Sequence, residues 1–367
     1  MSVLSSRPVL RWLIPATAAA AVIGGGAAVA TVAGAADPAL PERSAAQLLV
    51  DLQTARLDGL SGTVVQRADL GLPPIANLAG LAGGDNLLSL ASGQHTLRVW
   101  YAGPDKTRVS LVGNDAQTDV IRDGEDAWFW NSRSKEATHA KLGSGDQHPT
   151  PPTGFPATPQ EAADLALKAI EPSTQVTVSR TVQVAGRDAY ELSLSPRDTA
   201  SLIGQISVAI DAEEHVPLRV RVFPPGSDDT PAFEAAFTMV SFDRPDDAQF
   251  TFNPPPGTKI NEADADAIKD HAQARHEPPA SAERPQVVGS GWTSVVVAKL
   301  DKPAGASAEG APDVTALLGQ LPAVSGSWGS GHLLTTRLAT VLVTDDGRII
   351  AGLVTPEKLY EVAATTK

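Results

Sequence analysis

Alternation of apolar and polar positions with a period of two runs through the middle of the chain. Leu97, Val99 and Tyr101 alternate with Thr96, Arg98 and Trp100, and such alternation predicts half-buried strands. Turn residues separate the alternating runs, which indicates hairpins. We predict strands in hairpin order, located near residues 62–67, 96–101, 108–111, 119–121, 128–130, 176–184, 190–194, 206–210, 218–222, 233–242 and 250–252. Val176, Val178, Val182 and Val184 are expected to share one face of their strand.

Helical signals are few in this part of the chain. Ser44 and Gln47 have the spacing of a capping box before the apolar positions of a helix over Ser44–Ala55. Thr158, Pro159 and Glu161 predict the start of a second helix, which ends before Pro172. The stretch Leu70–Ser92 is apolar but broken by Pro and Gly pairs, and we interpret it as a buried irregular segment or a mobile flap.

These patterns predict an α+β fold. Its main part is a large curved antiparallel sheet, a half-open β-barrel covered by helices, and a smaller α+β unit follows it. We predict four regions: 1–36 as a signal peptide or membrane anchor, 37–257 as the large domain, 258–290 as a polar helix and linker, and 291–367 as the small unit. In the small unit we expect a strand over Thr293–Leu300, strands over Leu333–Thr344 and Arg348–Val354, and a final helix over Pro356–Ala364.

The first 36 residues have the order of an export signal. Arg7 and Arg11 precede the charge-free stretch Trp12–Ala36, and Ala33-Gly34-Ala35 gives a small-residue cleavage pattern. The stretch also reaches the roughly 20 residues that cross a bilayer, so a cleaved signal and a retained anchor both fit. A buried core helix is disfavoured by Gly24-Gly25-Gly26 and by the charge of Arg11. Either exported form places the rest of the chain outside the cytoplasm.

Charge and composition exclude several classes of protein. The formal net charge is −13, which disfavours a nucleic-acid partner because phosphate contacts need clustered Lys and Arg. The chain has no cysteine, so disulfides, thiol nucleophiles and cysteine zinc sites are excluded. Hydrophobic residues make up 42%, which permits an ordinary core.

Catalytic and metal motifs are missing. We find no G-x-S-x-G, no P-loop, no G-x-G-x-x-G and no H-E-x-x-H, so we expect no enzyme activity and no cofactor or metal. His271 and His276 have the wrong spacing for one face of a helix. The acids around Gly124 fit a turn better than a calcium loop, and Ser330 fits a hairpin turn better than a catalytic loop.

The aromatic residues are unevenly distributed. Five of the 17 (Trp100, Tyr101, Trp128, Phe129 and Trp130) fall in two adjacent hairpins. They are either ordinary core under the helices or the lining of a cavity. A strongly curved sheet leaves such a cavity on its concave side, and it would hold an acyl chain. On the cavity hypothesis the candidate lining residues are Leu87, Leu88, Leu90, Trp100, Trp128, Trp130, Phe237 and Met239.

The region Ser44–Gly257 resembles the LolA-like superfamily. The resemblance rests on the capped helix at Ser44, the hairpin Asp123-Gly124…Trp128-Phe129-Trp130, the helix at Thr158 and the closing Phe250-Thr251-Phe252-Asn253-Pro254-Pro255-Pro256-Gly257. That group includes lipoprotein carriers, mycobacterial lipid-carrier lipoproteins and regulators of the RseB (MucB) type. The resemblance implies a half-open barrel whose concave face binds lipid chains. The composition is similar to that of actinobacterial proteins, and the chain lacks the cysteine of a lipid-anchored member.

Two functions remain open at this point. One is an extracytoplasmic carrier that holds the acyl chains of a lipid or an acylated protein. The other is an RseB-like regulator that senses envelope stress and binds a membrane partner through residues 291–367. The oligomeric state is not predicted.

Overall fold

Antiparallel hairpins build most of the molecule, and they form two sheets. A computed structural model describes residues 40–72, 92–113, 116–142, 167, 170–227, 229–263, 285–299 and 319–366. Most of the predicted flap, most of the helix at Thr158 and the N-terminal segment lie outside the described residues, as do Leu87, Leu88 and Leu90.

The first sheet has twelve strands. They are β1 (Leu60–Ala68), β2 (Gly93–Tyr101), β3 (Lys106–Val112), β4 (Gln117–Asp123), β5 (Asp126–Asn131), β6 (Glu136–Lys141), β7 (Thr174–Val184), β8 (Arg187–Pro196), β9 (Gln205–Asp211), β10 (Pro217–Phe223), β11 (Phe233–Ser241) and β12 (Lys259–Ala263). Their order across the sheet is β12-β6-β5-β4-β3-β2-β1-β11-β10-β9-β8-β7. Strands β1 and β11 therefore lie in the middle, although about 170 residues separate them in sequence.

The large sheet is open and curved. No pairing joins β12 to β7 within the described part, so the barrel is not closed. Strand β7 nevertheless approaches β11 across three intervening strands, which requires strong curvature in this half of the sheet. These features confirm the predicted fold class, a large curved sheet with a smaller unit beside it.

Helix α1 (Ala45–Thr54) covers one face of this curved half. Its N-terminus has the predicted capping box, since the Ser44 side chain accepts from Gln47 N and the Gln47 side chain accepts from Ser44 N. Leu48 is fully buried against Val64, Leu192 and Val208 in the main core cluster. At roughly 1.5–3 kcal/mol for each buried aliphatic side chain, this cluster is the main stabilising contact between α1 and the sheet.

The prediction that four valines of β7 share one face is wrong because of an irregular pairing. A register shift between Val178 and Thr181 changes the alternation of β7, so Val176 and Val178 join the main core whereas Val182 and Val184 join a second cluster with Ala189 and Leu218. The region predicted as a polar helix and linker, residues 258–290, begins with strand β12, and its residues 264–284 lie outside the described part of the chain. β12 pairs in parallel with β6, and a contact between residues so distant in sequence leaves no local signal.

The second sheet has six strands in the order β13-β14-β18-β17-β16-β15. They are β13 (Gln286–Val288), β14 (Val295–Lys299), β15 (Ala323–Gly326), β16 (Gly329–Thr335), β17 (Thr340–Thr344) and β18 (Arg348–Gly352). Helix α2 (Pro356–Thr365) packs Leu359 and Val362 onto one face, against Leu342 and Ile350. The predicted strand over Leu333–Thr344 is two strands with a turn between them.

Specific hydrogen bonds join the two sheets. The Arg337 guanidinium donates to the Asp69 carboxylate at 2.7 Å and to the Thr230 carbonyl at 3.1 Å, and Arg337 N donates to the Leu70 carbonyl. Asp69 directly follows β1, and Thr230 lies shortly before β11. One arginine of the small sheet thus holds the ends of both central strands of the large sheet. Trp292 Nε1 adds a bond of 2.6 Å to Thr174 Oγ1.

Candidate ligand-binding faces of the large sheet

The two faces of the large sheet differ in chemistry. We call the face that packs on α1 through Val64 and Val208 the helix face. Trp100, Arg108, Ile121 and Trp128 lie in one cross-strand row on the other side, which we call the tryptophan face. Side chains directly opposite each other in neighbouring strands lie on the same face.

The candidate lining residues do not form one surface. Trp100, Trp128, Trp130 and Met239 lie on the tryptophan face, where Met239 is opposite Thr63 and Trp130 is opposite Asp119. Phe237 pairs with Val64 and packs against the main core. The three leucines of the predicted flap are outside the described residues.

Residues 246–252, which we call the cover segment, lie over part of the tryptophan face. The Phe252 ring is 4.9 Å from Trp128 and 6.3 Å from Trp130, and Phe250 is fully buried. Arg108 Nη1 donates to the Gln249 carbonyl at 3.1 Å, and its Nη2 pairs with the buried Asp119. Trp128 and Trp130 therefore already contact the chain's own aromatic residues.

His139 completes the environment of Trp128 and ties β12 to the sheet. The imidazole stacks on Trp128 with a centroid distance of 4.1 Å. Its Nε2 lies 2.8 Å from Asp126 Oδ1, and its Nδ1 lies 2.8 Å from Glu262 Oε2 in β12. A neutral imidazole carries one N–H and donates to one carboxylate, whereas the protonated ring donates to both.

The electrostatics of this cluster favour the charged ring. Burial lowers the pKa of His139, but the hydrogen bonds with Asp126 and Glu262 outweigh it and raise that pKa above its ordinary value. The hydrogen bond from His139 also lowers the pKa of Asp126. Lys141, which lies 3.8 Å from Asp126 Oδ1, is the remaining charged side chain recorded at this cluster.

We expect this cluster to make folding stability depend on pH. Because the pKa of His139 is raised in the folded protein, its contribution is complete below the ordinary histidine value of about 6.5 and is lost as pH rises through the folded value. The loss should be roughly 0.5–1 kcal/mol, as for a partly exposed ion pair. Urea unfolding at pH 5.5 and 8.5 measures it.

His139→Gln should remove this pH dependence. His95→Gln is the matched control, since the His95 ring contacts the Ser92 carbonyl instead of a carboxylate. An unchanged pH profile in His139→Gln would contradict the assignment.

Trp100 and Met239 border an open trough on the tryptophan face. Its volume is about 290 Å³, and it is lined by Ser61, Gly62, Thr63, Arg98, Trp100, Met239, Val240 and Ser241. The floor is the middle strand β1, where Gly62 is required by packing: a Cβ there would lie 2.7 Å from the Met239 carbonyl and 2.8 Å from the Phe237 ring. A register shift in β11 next to Thr63 precedes Met239, and such bulges redirect side chains.

The helix face carries an apolar stripe that sequence analysis missed. Val99, Val109, Val120 and Phe129 are opposite one another across β2, β3, β4 and β5. Val120 is 53% exposed and Phe129 is 47% exposed. The stripe lies on the same face as the main core, because Val64 and Leu97 occupy neighbouring positions on β1 and β2.

A signal for this stripe is present in the sequence. Phe129 lies between two tryptophans, and alternation assigns it to the opposite face from both. Val99, Val109 and Val120 continue the same phase in the preceding strands. The prediction instead chose the larger tryptophan side chains, which lie on the other face.

The described part of the chain shows neither a metal-binding group nor a membrane-spanning helix. No group of three or more His, Asp or Glu side chains is placed there to hold a metal ion, and none of its helices has the length and hydropathy to cross a bilayer. His271 and His276 lie outside the described residues.

Comparison with known proteins gives structural neighbours alone. No protein-family model and no curated protein matches the chain. A crystal structure of MucB in complex with MucA(peri) aligns with a TM-score of 0.42 and 15% identity over 86% of this chain and 94% of that one. The Pseudomonas aeruginosa MucA/MucB complex aligns with a TM-score of 0.41 and 14% identity over 87% and 94%.

A LolA superfamily protein from Nitrosomonas europaea aligns with a TM-score of 0.23 and 13% identity over 57% of this chain and 99% of that one. TM-scores below 0.5 at such identities carry no argument about function. MucB and a LolA superfamily protein are thus among the solved structures that align with this chain.

Proposed function

We propose that this chain is an exported binding protein, not an enzyme, and that it holds an acyl chain of a lipid or acylated protein against the helix face of β2–β5. The observation that carries the proposal is the half-exposed pair Val120 and Phe129 on a face that is core elsewhere in the sheet. Exposed apolar side chains that continue a core surface are typical of ligand-binding grooves. The signal peptide or membrane anchor predicted over residues 1–36 supports the location.

The energetics of the stripe suit an acyl chain. Each methylene that leaves water contributes about 0.8 kcal/mol, so a chain laid along four apolar positions gains affinity without a charged anchor. The stripe crosses the strands, and its side chains come from four of them, so their spacing is fixed by the sheet. A preformed surface of this kind loses little conformational entropy when it binds.

Substitution of Phe129 tests the proposal. Protein purified without detergent should carry lipid that mass spectrometry detects after extraction. Phe129→Asp should reduce the affinity about tenfold, because it removes an aromatic contact and adds a carboxylate that the ligand must desolvate. Ile260→Asp is the matched control, since Ile260 is 45% exposed but lies in the row of Trp130 and Ala137 on the other face.

Several outcomes would contradict the proposal: wild-type protein that is free of lipid, or equal lipid content in the two variants. Circular dichroism and urea unfolding confirm that both variants fold.

An RseB-like regulator that binds a membrane partner through residues 291–367 is the second candidate. It is favoured by the small sheet, whose face opposite α2 is also apolar: Val296, Val341 and Ala351 are opposite one another there and are only partly buried. The mass spectrum separates the candidates, because a regulator that recognises protein alone carries no lipid.

A further inference from the structure

The trough on the tryptophan face combines one cation with apolar walls. Arg98 and Trp100 come from β2 and border one side, and Met239 comes from β11 and borders the other. Short side chains on β1, Ser61 and Thr63, leave the space between them. Met239 is 62% exposed although β11 is a central strand.

Among the described residues, Arg98 has no recorded acidic partner. No hydrogen bond or ion pair of its side chain is recorded within the described part of the chain. Its cross-strand neighbours are Thr63 and Ser110. The nearest acid in that row, Asp119, is already paired with Arg108 and accepts from Gln117 Nε2 at 2.7 Å.

The other central arginines of this face behave differently. Arg219 and Arg221 both pair with Glu191, at 3.1 and 2.6 Å, and Arg67 pairs with Glu234 at 3.5 Å. Unlike these three arginines, Arg98 has no carboxylate partner in the described part of the chain, and it lies beside the apolar walls of the trough. An anionic group attached to an apolar chain complements both features.

We propose that this trough binds a single-chain amphiphile with one anionic head group, of the fatty-acid class. The carboxylate lies at the Arg98 guanidinium, with the hydroxyls of Ser61 and Thr63 beside it, and the first part of the chain lies between Trp100 and Met239. A volume of about 290 Å³ is at the lower end of the roughly 300–1,000 Å³ of small-molecule sites, so it holds one chain. The site is separate from the stripe on the helix face and does not depend on it.

Chain-matched ligands test the proposal in the full-length protein. Dodecanoate, below its micelle concentration, should bind with one site by isothermal titration calorimetry. At low salt dodecanoate should bind about three- to fivefold more tightly than dodecanol, the range of an exposed ion pair. The preference should shrink at high salt, because exposed charges are screened.

Two arginine variants locate the head group. Arg98→Gln should abolish the preference for the carboxylate, and Arg98→Lys should keep most of it. Arg56→Gln is the matched control, since Arg56 is an exposed arginine just after α1 whose side chain contacts backbone carbonyls. Equal binding of dodecanoate and dodecanol to wild type, or an unchanged preference in Arg98→Gln, would overturn the proposal.

Phe129→Asp separates this site from the stripe. Dodecanoate binding should persist in that variant and should be lost in Met239→Glu, which adds a like charge to the trough. The reverse result would assign the ligand to the helix face and refute the trough site, while leaving the proposed function intact.

Discussion

Replacing Phe250 with alanine should lower the free energy of unfolding by about 3–5 kcal/mol, the cost of a large cavity at a fully buried aromatic position. Phe250 is 0% exposed and follows the 3₁₀ turn Asp247–Gln249 of the cover segment. Bonds to β3 hold this turn: Lys106 Nζ lies 2.9 Å from Asp247 Oδ2, and Arg108 donates to Gln249. The cavity left by Phe250→Ala therefore forms under the cover segment, which these bonds hold to β3.

Urea unfolding with a tryptophan fluorescence probe measures this loss. Phe129→Ala is the matched control: the same side chain is removed from the same region of the sheet, but Phe129 is half exposed. We expect less than about 1 kcal/mol there, because little apolar area leaves the folded state. Similar losses in both variants would show that Phe250 is not a core residue.

Replacing Asp211 with alanine should destabilise the fold by about 3 kcal/mol, since a charge-assisted hydrogen-bond network is removed. Asp211 is 0% exposed at the end of β9. Its carboxylate accepts from Arg187 Nε at 2.8 Å and Nη2 at 2.9 Å, and from Glu213 N and Glu214 N at 3.0 and 2.7 Å. Truncation leaves these donors without their acceptor.

The ionisation of Asp211 agrees with this arrangement. Burial raises its pKa, but the Arg187 and backbone hydrogen bonds outweigh it and hold the pKa below the ordinary value. Glu213→Ala is the matched control, because it removes the exposed partner of the same arginine. That variant should lose less than about 1 kcal/mol. A loss in Asp211→Ala no larger than in Glu213→Ala would contradict the prediction.

Local patterns predicted most of the elements. The capping box at Ser44 and the alternation in β2–β5 involve residues close in sequence, so they leave a readable signal. The bulge that separates Val178 from Val182, the parallel strand β12 and the aromatic cover at Phe252 arise from pairing and packing between distant residues. A single sequence carries no local sign of such contacts.

The candidate site, too, was predictable from the sequence only in part. Composition and the aromatic cluster drew attention to β2–β5, and the described apolar stripe does lie there. The assignment of residues to faces was incomplete, because Trp128 and Trp130 are already in contact with Phe252. Arg98 gave no signal in sequence, because whether an arginine has an acidic neighbour among the described strands depends on how the sheet is assembled.

The hydrogen bonds from Arg337 to Asp69 and Thr230 connect the small sheet to the strands that carry the trough. These two residues adjoin β1 and β11, and the trough lies on the same pair of strands. A ligand that altered the spacing of β1 and β11 would therefore change the free energy of the contact between the two sheets, and by thermodynamic linkage a contact that altered the small sheet would change the affinity for that ligand by the same factor. Arg337 is therefore a direct connection between the small sheet and the two strands that carry the trough.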